Sequence, residues 1–192
     1  MFIVIEGIDG SGKTSLSNNL AKKLNELGKS SIRFSEPTNF ESGKYIRKFL
    51  KGEIILSKKE QIDAFISDRE ISVLNNIRPA LQDKKIVILD RYYYSTAAYQ
   101  ASEDYSPQEI LYLNLEKNFP KPDLLFYIDL QPEIALGRIS NRNDQKEIFE
   151  SIEQLTKINY NFKNVLPNSK IMLNGLLAQE ELVNLCLKYI LV

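Results

Sequence analysis

The strongest chemical signal is a glycine-rich segment between the first apolar run and the first helical pattern. Its spacing, G-x-x-x-x-G-K-[ST], is typical of a loop whose backbone N–H groups surround phosphates. The lysine can place a positive charge on the β- and γ-phosphates, and the following hydroxyl can ligate Mg²⁺. A nucleoside triphosphate site is therefore predicted at Gly7, Ile8, Asp9, Gly10, Ser11, Gly12, Lys13 and Thr14.

A second pair of charged residues, Asp90 and Arg91, follows the apolar run IVIL. An acid at the end of a parallel strand beside the phosphate-binding loop could reach Mg²⁺ through water. Thr14 and Asp90 are therefore the predicted metal residues. Arg91 suggests a second anion near the first. The alternatives are a turn cap for Asp90 and a surface ion pair for Arg91.

The composition excludes several other chemistries. The 192 residues include no histidine, so a Ser-His-Asp triad and a His-ligated zinc are ruled out. One cysteine cannot form an intrachain disulfide, which fits a reducing compartment. The net charge of +0 argues against non-specific nucleic-acid binding. No apolar run approaches a membrane span, and MFIVIEG resembles a strand more than a signal peptide, so we expect a cytoplasmic protein.

Short apolar runs that alternate with helical patterns position these residues. The runs are FIVIE, SIRFS, IVILD, LLFYID and the weaker KIML, and three of them are nearly continuous, as in parallel strands covered on both faces. The helical patterns cover 13–27, 57–81, 106 onward, 132–139, 149–165 and 179–191. An α/β fold is predicted, with one domain over 1–192.

Several motifs in this order and spacing resemble the thymidylate kinase family: EGIDGSGKT, SEPT, FISDR, DRYYYSTAAYQ and PKPDLLFYIDL. The resemblance covers nearly the whole chain. It implies a three-layer P-loop fold with a five-stranded parallel sheet, helices on both faces and a short lid. It also implies transfer of the ATP γ-phosphate to dTMP with Mg²⁺, for dTTP biosynthesis, by a homodimer.

The resemblance further implies an acceptor site. Phe65 would stack on thymine and Arg69 would contact the base, Arg91 would hold the dTMP phosphate, and Tyr99 would crowd the sugar 2′ position. Asp9 would lie near the 3′-hydroxyl and the transferring phosphate. The other implied dTMP residues are Glu36, Pro37, Arg47, Tyr92, Ser95, Thr96 and Gln100.

Two departures from the family pattern move the expected charges. Ser35 stands where many relatives carry arginine, and Arg47 is the candidate to replace that charge. Gly10 stands where some relatives place a catalytic arginine, so we expect Arg142 to supply this charge from a lid at approximately 140–148. Arg138 resembles the arginine that packs on adenine. Ile148 replaces another family arginine, and Lys146 is a candidate to compensate.

Catalysis would then rest on Asp9, Lys13, Arg91 and Arg142. Phosphoryl transfer depends on in-line placement and charge neutralisation, and an anionic acceptor phosphate needs no general base. Two alternatives remain open. One is a kinase for another nucleotide or a nucleoside. The other is a P-loop switch, against which stand the missing N-K-x-D motif and the arginine after Asp90.

Overall fold

The computed structural model describes residues 1–141 and 147–191. Five strands form one parallel sheet in the order β2-β3-β1-β4-β5. Their bounds are Phe2–Glu6 (β1), Ser31–Ser35 (β2), Ile86–Asp90 (β3), Leu124–Asp129 (β4) and Ile171–Asn174 (β5). The predicted five-stranded α/β fold is confirmed.

The described helices connect the strands and follow the last of them. They are α1 (Lys13–Glu26), α2 (Glu41–Leu50), α3 (Lys58–Ser72), α4 (Arg78–Gln82), α5 (Tyr93–Tyr99), α6 (Pro107–Leu115), α7 (Pro132–Ser140), α8 (Ile152–Val165) and α9 (Gln179–Ile190). A five-residue π-helical segment, Val73–Ile77, joins α3 to α4.

Helices cover both faces of the sheet, which explains the continuous apolar strands. On one face, α1 and α9 bury side chains such as Leu16, Leu20 and Leu182 against Ile3 and Ile128. On the other face, a larger cluster includes side chains from α3, α5, α6 and α8. Strands that are apolar on both faces lose water on both, and the molecule is therefore built in three layers.

The predicted helix over 57–81 is divided in the structure. Ser57 caps α3 through a capping box with Glu60, as its spacing predicts. Pro79 lies at the start of α4. Because proline lacks an N–H and its ring crowds the carbonyl four residues earlier, the preceding turn takes the wider π form.

The helix predicted from Phe149 begins at Ile152 instead, with Ser151 as its N-cap. The Ser151 hydroxyl accepts from the amide of Gln154 at 3.2 Å, and this bond sets the starting point. Across the described residues, none of the helices has the length and apolar character needed to cross a bilayer.

Candidate active site

The phosphate-binding loop connects β1 to α1 at the carboxyl edge of the sheet. Gly12 is the N-cap of α1 with φ 97°, a left-handed conformation that favours glycine. Gly10 also has positive φ, and a Cβ added there would lie 2.4 Å from the Ala135 carbonyl oxygen. The loop therefore packs directly under α7 while the N-terminus of α1, with its partial positive charge, faces the loop.

Lys13 lies almost wholly inside this loop. Its side chain is buried, and Nζ donates to the Ile8 carbonyl oxygen at 2.8 Å. Burial lowers the pKa of Lys13 to about 8, and the nearby positive charge of Arg91 adds to this effect. A buried ammonium held by one loop carbonyl is a cation that an incoming phosphate can stabilise.

Thr14 and Asp90, the predicted metal residues, are in direct contact. The Thr14 hydroxyl donates to Asp90 Oδ2 at 2.7 Å, while Oδ1 is buried and has no hydrogen-bond partner among the described residues. A hydroxyl beside a carboxylate oxygen with spare acceptor capacity suits a hard cation such as Mg²⁺. The donor set of this corner therefore fits the expected ion.

Arg33, which the sequence analysis did not assign, completes this corner. Its Nη2 donates to Asp90 Oδ2 at 2.9 Å, and its Nε donates to Ser17 Oγ at 3.0 Å. Arg33 is two residues before Ser35 on β2, so both side chains lie on the same face of the sheet. Arg33 therefore places a positive charge beside Asp90, two residues before Ser35 on β2.

A cavity next to the loop is lined by eight of the predicted acceptor residues. These are Asp9, Pro37, Arg47, Phe65, Arg91, Ser95, Tyr99 and Gln100. They come from the phosphate-binding loop, the segment after β2, α2, α3, the segment after β3, and α5 with its C-cap. Residues that are far apart in the sequence therefore line one cavity.

Arg91 and Asp9 form an ion pair at the floor of the cavity, with both side chains mostly buried. The Arg91 guanidinium also lies 5.0 Å from the centre of the Tyr99 ring. The Tyr99 hydroxyl accepts from the Asp9 amide at 2.9 Å and donates to Asp9 Oδ2 at 3.0 Å. The loop and the end of α5 are thus joined through three adjacent side chains.

Gln100 contributes the most informative polar group of the cavity. Its side chain is fully buried, yet neither Oε1 nor Nε2 has a hydrogen-bond partner among the described residues. Leaving both ends of an amide unpaired inside a protein costs free energy. Because Gln100 lines the cavity, a ligand with adjacent donor and acceptor groups would satisfy it.

Four predicted acceptor residues lie behind the cavity instead of lining it: Glu36, Arg69, Tyr92 and Thr96. Arg69 is the centre of this layer. It donates to Glu36 at 2.8 Å and to Thr96 at 3.0 Å, and Asn114 accepts a third bond at 2.5 Å. Three buried side chains thus hold the Arg69 guanidinium behind the cavity, and its expected contact with a base stays a prediction.

Tyr92 also lies in the buried layer behind the cavity. Its ring is buried, packs edge-on against Phe2 and supports the Arg69 guanidinium at 5.3 Å. The hydroxyl donates to the Pro120 carbonyl oxygen at 3.1 Å, on the side away from the cavity. Tyr92 therefore packs within this layer, and its expected place at the dTMP site stays a prediction.

The segment after β2 is fixed by one buried acid that the sequence analysis left unassigned. Asp68 accepts from the Thr38 amide at 2.8 Å, the Thr38 hydroxyl at 2.6 Å and the Ser42 hydroxyl at 2.5 Å. Arg47 donates to the carbonyl oxygens of Thr38 and Pro37 at 2.6 and 2.7 Å. Arg47 thus lines the cavity while bound to the Pro37 segment.

Other lining residues could not be assigned from the sequence, namely Leu50, Lys51, Glu147 and Phe149. Phe149 packs edge-on against Tyr99 at 5.5 Å and against Phe49 at 6.3 Å. The Ile148 amide donates to the Leu50 carbonyl oxygen at 3.1 Å, which joins the segment after the predicted lid to the end of α2. Phe149, the aromatic residue directly after the predicted lid, is the sequence feature that could have indicated this side of the cavity.

The expected adenine arginine, Arg138, donates to the Gly175 carbonyl oxygen at 2.9 Å and so joins α7 to the segment after β5. The predicted catalytic Arg142 and the compensating Lys146 lie outside the described residues.

Comparison with known proteins gives the family. The model of the family described as thymidylate kinase matches residues 5–185 of the chain. The chain belongs to the thymidylate kinase family. Among curated thymidylate kinases, that of Leptospira borgpetersenii serovar Hardjo-bovis (strain L550) is 54% identical over 191 residues, covering 100% of this chain and 93% of the relative.

More distant members of the thymidylate kinase family also align over most of the chain. The probable thymidylate kinase of Archaeoglobus fulgidus is 40% identical and covers 82% of this chain and 78% of the relative. That of Pyrococcus horikoshii is 34% identical and covers 94% and 91%. The family model's match over residues 5–185 spans both the glycine-rich loop and the residues that line the cavity.

Proposed function

We propose that this member of the thymidylate kinase family transfers the γ-phosphate of ATP to dTMP, giving dTDP for dTTP synthesis. The observation that carries the choice of acceptor is Gln100, a buried amide with both ends unpaired at the cavity wall. The edge of a pyrimidine offers a C=O and an N–H side by side, which such an amide can pair. The half-buried ring of Phe65 provides a stacking surface.

Arg91 would hold the acceptor phosphate. Its guanidinium is near the phosphate-binding loop and is paired with Asp9. An incoming phosphate dianion would compete for the same N–H groups through charge-assisted hydrogen bonds. Because a phosphate monoester has a second pKa near about 6, the attacking oxygen is anionic at neutral pH and needs no general base.

The donor triphosphate would lie on the glycine-rich loop. The loop amides and the N-terminus of α1 would bind the phosphates, with Lys13 adding a positive charge near the transferring group. Thr14 and Asp90 would hold Mg²⁺, which neutralises the charge of the phosphates when bound. Asp9, between Arg91 and Tyr99, would orient the groups that meet the acceptor sugar and phosphate.

Tyr99 would select deoxyribose. Its ring is enclosed by Arg91 on one side and Phe149 on the other, and its hydroxyl is bonded to Asp9. A ring fixed by three contacts has little freedom to move aside for an additional 2′-hydroxyl. Sterically enforced selection of this kind adds to the hydrogen bonds made by the base.

A lid over approximately 140–148 would supply Arg142 to the transferring phosphoryl group and exclude water on closure. We further propose a single domain over 1–192 and a cytoplasmic homodimer that acts on small molecules and has neither nucleic-acid nor membrane partners. The family resemblance supports the dimer, and light scattering on the purified protein tests it.

A coupled assay of ADP formation across nucleoside monophosphates tests the function. We expect turnover with Mg-ATP and dTMP, little turnover with purine acceptors, and only slow ADP formation without an acceptor. Equal rates with and without dTMP would contradict the kinase proposal. A higher kcat/KM with another monophosphate than with dTMP would contradict the choice of acceptor.

A further inference from the structure

Glu6, the last residue of β1, is a buried carboxyl with no role in the proposed catalysis. Its side chain has 0% exposure and lies directly before the phosphate-binding loop. Its side chain, however, accepts hydrogen bonds from the segment after β3, more than 80 residues later in the chain. Glu6 therefore connects the donor loop strand to the acceptor side.

The carboxyl group of Glu6 takes the place of the usual N-cap of α5. Oε1 accepts from the amides of Tyr92 and Ser95 at 2.8 and 3.1 Å, and Oε2 accepts from the Ser95 hydroxyl at 2.5 Å. These are the N-cap and N3 positions, where a helix leaves N–H groups unpaired. The N-cap residue is Tyr92, whose phenol points to Pro120 and makes no cap hydrogen bond.

The segment that Glu6 holds contains Arg91 in a constrained conformation. Arg91 has φ 70°, a left-handed value that non-glycine residues rarely adopt, and its amide donates to the Ile5 carbonyl oxygen at 3.1 Å. β1 thus holds this turn at two successive residues, Ile5 by its carbonyl and Glu6 by its side chain. The direction in which Arg91 leaves the backbone depends on both.

A hydrogen-bond chain extends this control to the guanidinium. Ser95 donates its hydroxyl hydrogen to Glu6, and the same oxygen accepts from Arg91 Nη1 at 3.4 Å. Arg91 then pairs with Asp9 on its other amino group. The carboxylate of Glu6 therefore orients the Ser95 hydroxyl so that its lone pairs face Arg91.

Burying a carboxyl for this purpose is costly. Burial raises the pKa of Glu6 to about 7, although the Ser95 and Tyr92 hydrogen bonds and the charges of Arg91 and Lys13 oppose the rise. Elsewhere in the chain, α3 is capped by the exposed Ser57 and α6 by the half-buried Ser106. A helix cap does not require a buried acid. The contacts of Glu6 with the turn at Arg91 indicate a further role for this carboxyl group.

We propose that Glu6 is a positioning residue for acceptor-phosphate binding, acting through the backbone turn at Arg91 and the hydroxyl of Ser95. The inference rests on the proposed role of Arg91 in holding the dTMP phosphate. It goes beyond that role because Glu6 itself would touch neither substrate.

The test compares the affinities of dTMP and thymidine, which differ by the phosphate, in calorimetric titrations. For Glu6→Gln we expect dTMP affinity to fall on the order of tenfold, with thymidine affinity changed less than about twofold. Glu6→Asp keeps the charge but shortens the side chain. It should lower the ratio of dTMP affinity to thymidine affinity, and it provides a second variant if glutamine prevents folding. An equal loss for both ligands would overturn the proposal, since general disturbance of the cavity would produce that result.

Glu109→Gln is the matched control, because the exposed Glu109 also accepts from a serine amide and hydroxyl at a helix start, both at 2.7 Å. Its ratio should equal that of the wild type. Arg91→Met distinguishes the proposed role of Glu6 from the proposed phosphate site at Arg91. A lowered ratio in Arg91→Met with an unchanged ratio in Glu6→Gln would overturn the Glu6 proposal alone, whereas an unchanged ratio in Arg91→Met would overturn the phosphate site on which it rests.

Discussion

The glycine-rich loop, the proposed donor site, and the cavity beside it, the proposed acceptor site, share Asp9 but are built in different ways. The donor loop is one continuous segment in which glycines, backbone amides and a helix start form the binding surface. The acceptor cavity takes side chains from several separate elements and depends on a buried layer behind them. Local chain geometry forms the first site, whereas the second depends on tertiary packing.

This difference predicts how each half should respond to substitution. Changes in the donor loop should lower kcat, because its charges stabilise the transferring phosphoryl group. Changes in the cavity should alter dTMP affinity and selectivity, because its side chains would contact the acceptor nucleotide.

Lys13→Ala should give the largest effect. Removing the buried ammonium from the loop is expected to lower kcat by about 10³-fold with the fold intact, since a charge next to the phosphates is lost. Steady-state kinetics together with circular dichroism would measure both. Lys22→Ala on the same helix, whose side chain is 78% exposed, is the control and should retain wild-type kcat. Near wild-type turnover in Lys13→Ala would contradict the donor assignment.

The buried acid between the two halves should make stability depend on pH. Burial raises the pKa of the Glu6 carboxyl from the ordinary value of 4.5 to about 7 in the folded protein. The folded state therefore binds the proton more tightly, and the free energy of unfolding should fall as pH rises through this window. Relative to Glu6→Gln, the free energy of unfolding of the wild type should fall by roughly 2 to 3 kcal/mol between about pH 5 and pH 8. Urea unfolding of both proteins measures this difference, and a constant difference would contradict it.

Gln100→Leu should separate binding from stability within the acceptor cavity. The affinity for dTMP is expected to fall by about 30-fold, while the free energy of unfolding stays equal or rises by about 1 kcal/mol, since two unpaired buried atoms are removed. Gln61→Leu replaces another buried amide, one whose Nε2 donates to the Leu56 carbonyl oxygen. This control should bind dTMP normally. A Gln100→Leu protein that is less stable but binds dTMP normally would argue for a purely structural amide.

Tyr99→Ala should give the smallest of these effects. The ratio of kcat/KM for dTMP to that for its ribose analogue is expected to fall about tenfold, because the ring no longer crowds the 2′ position. Tyr99→Phe keeps the ring and should keep most of the discrimination. Unchanged discrimination in Tyr99→Ala would remove the tyrosine from sugar selection.

The position of the glycine-rich loop between β1 and α1 could be predicted from the sequence because its signal is contiguous. Gly7, Gly12 and Lys13 stand at the fixed spacing of the motif. The strand before the loop and the helix after it have clear periodicities. The continuous apolar strands similarly indicated a sheet covered on both faces.

The acceptor side could be predicted only in part, because its contacts join distant parts of the chain. Phe65 and Arg69 lie four residues apart on α3, but this spacing could not show that Glu36 and Asn114 would hold Arg69 behind the cavity. Glu6 looked like the end of a strand, since its partners are more than 80 residues away.

The most direct test of the account is a crystal structure of the protein with dTMP and ADP. We predict the thymine ring stacked on Phe65, its polar edge paired with the Gln100 amide, and a phosphate oxygen within about 3 Å of the Arg91 guanidinium. Density for dTMP outside this cavity, or a base that leaves Gln100 unpaired while Arg91 stays on Asp9 alone, would contradict it.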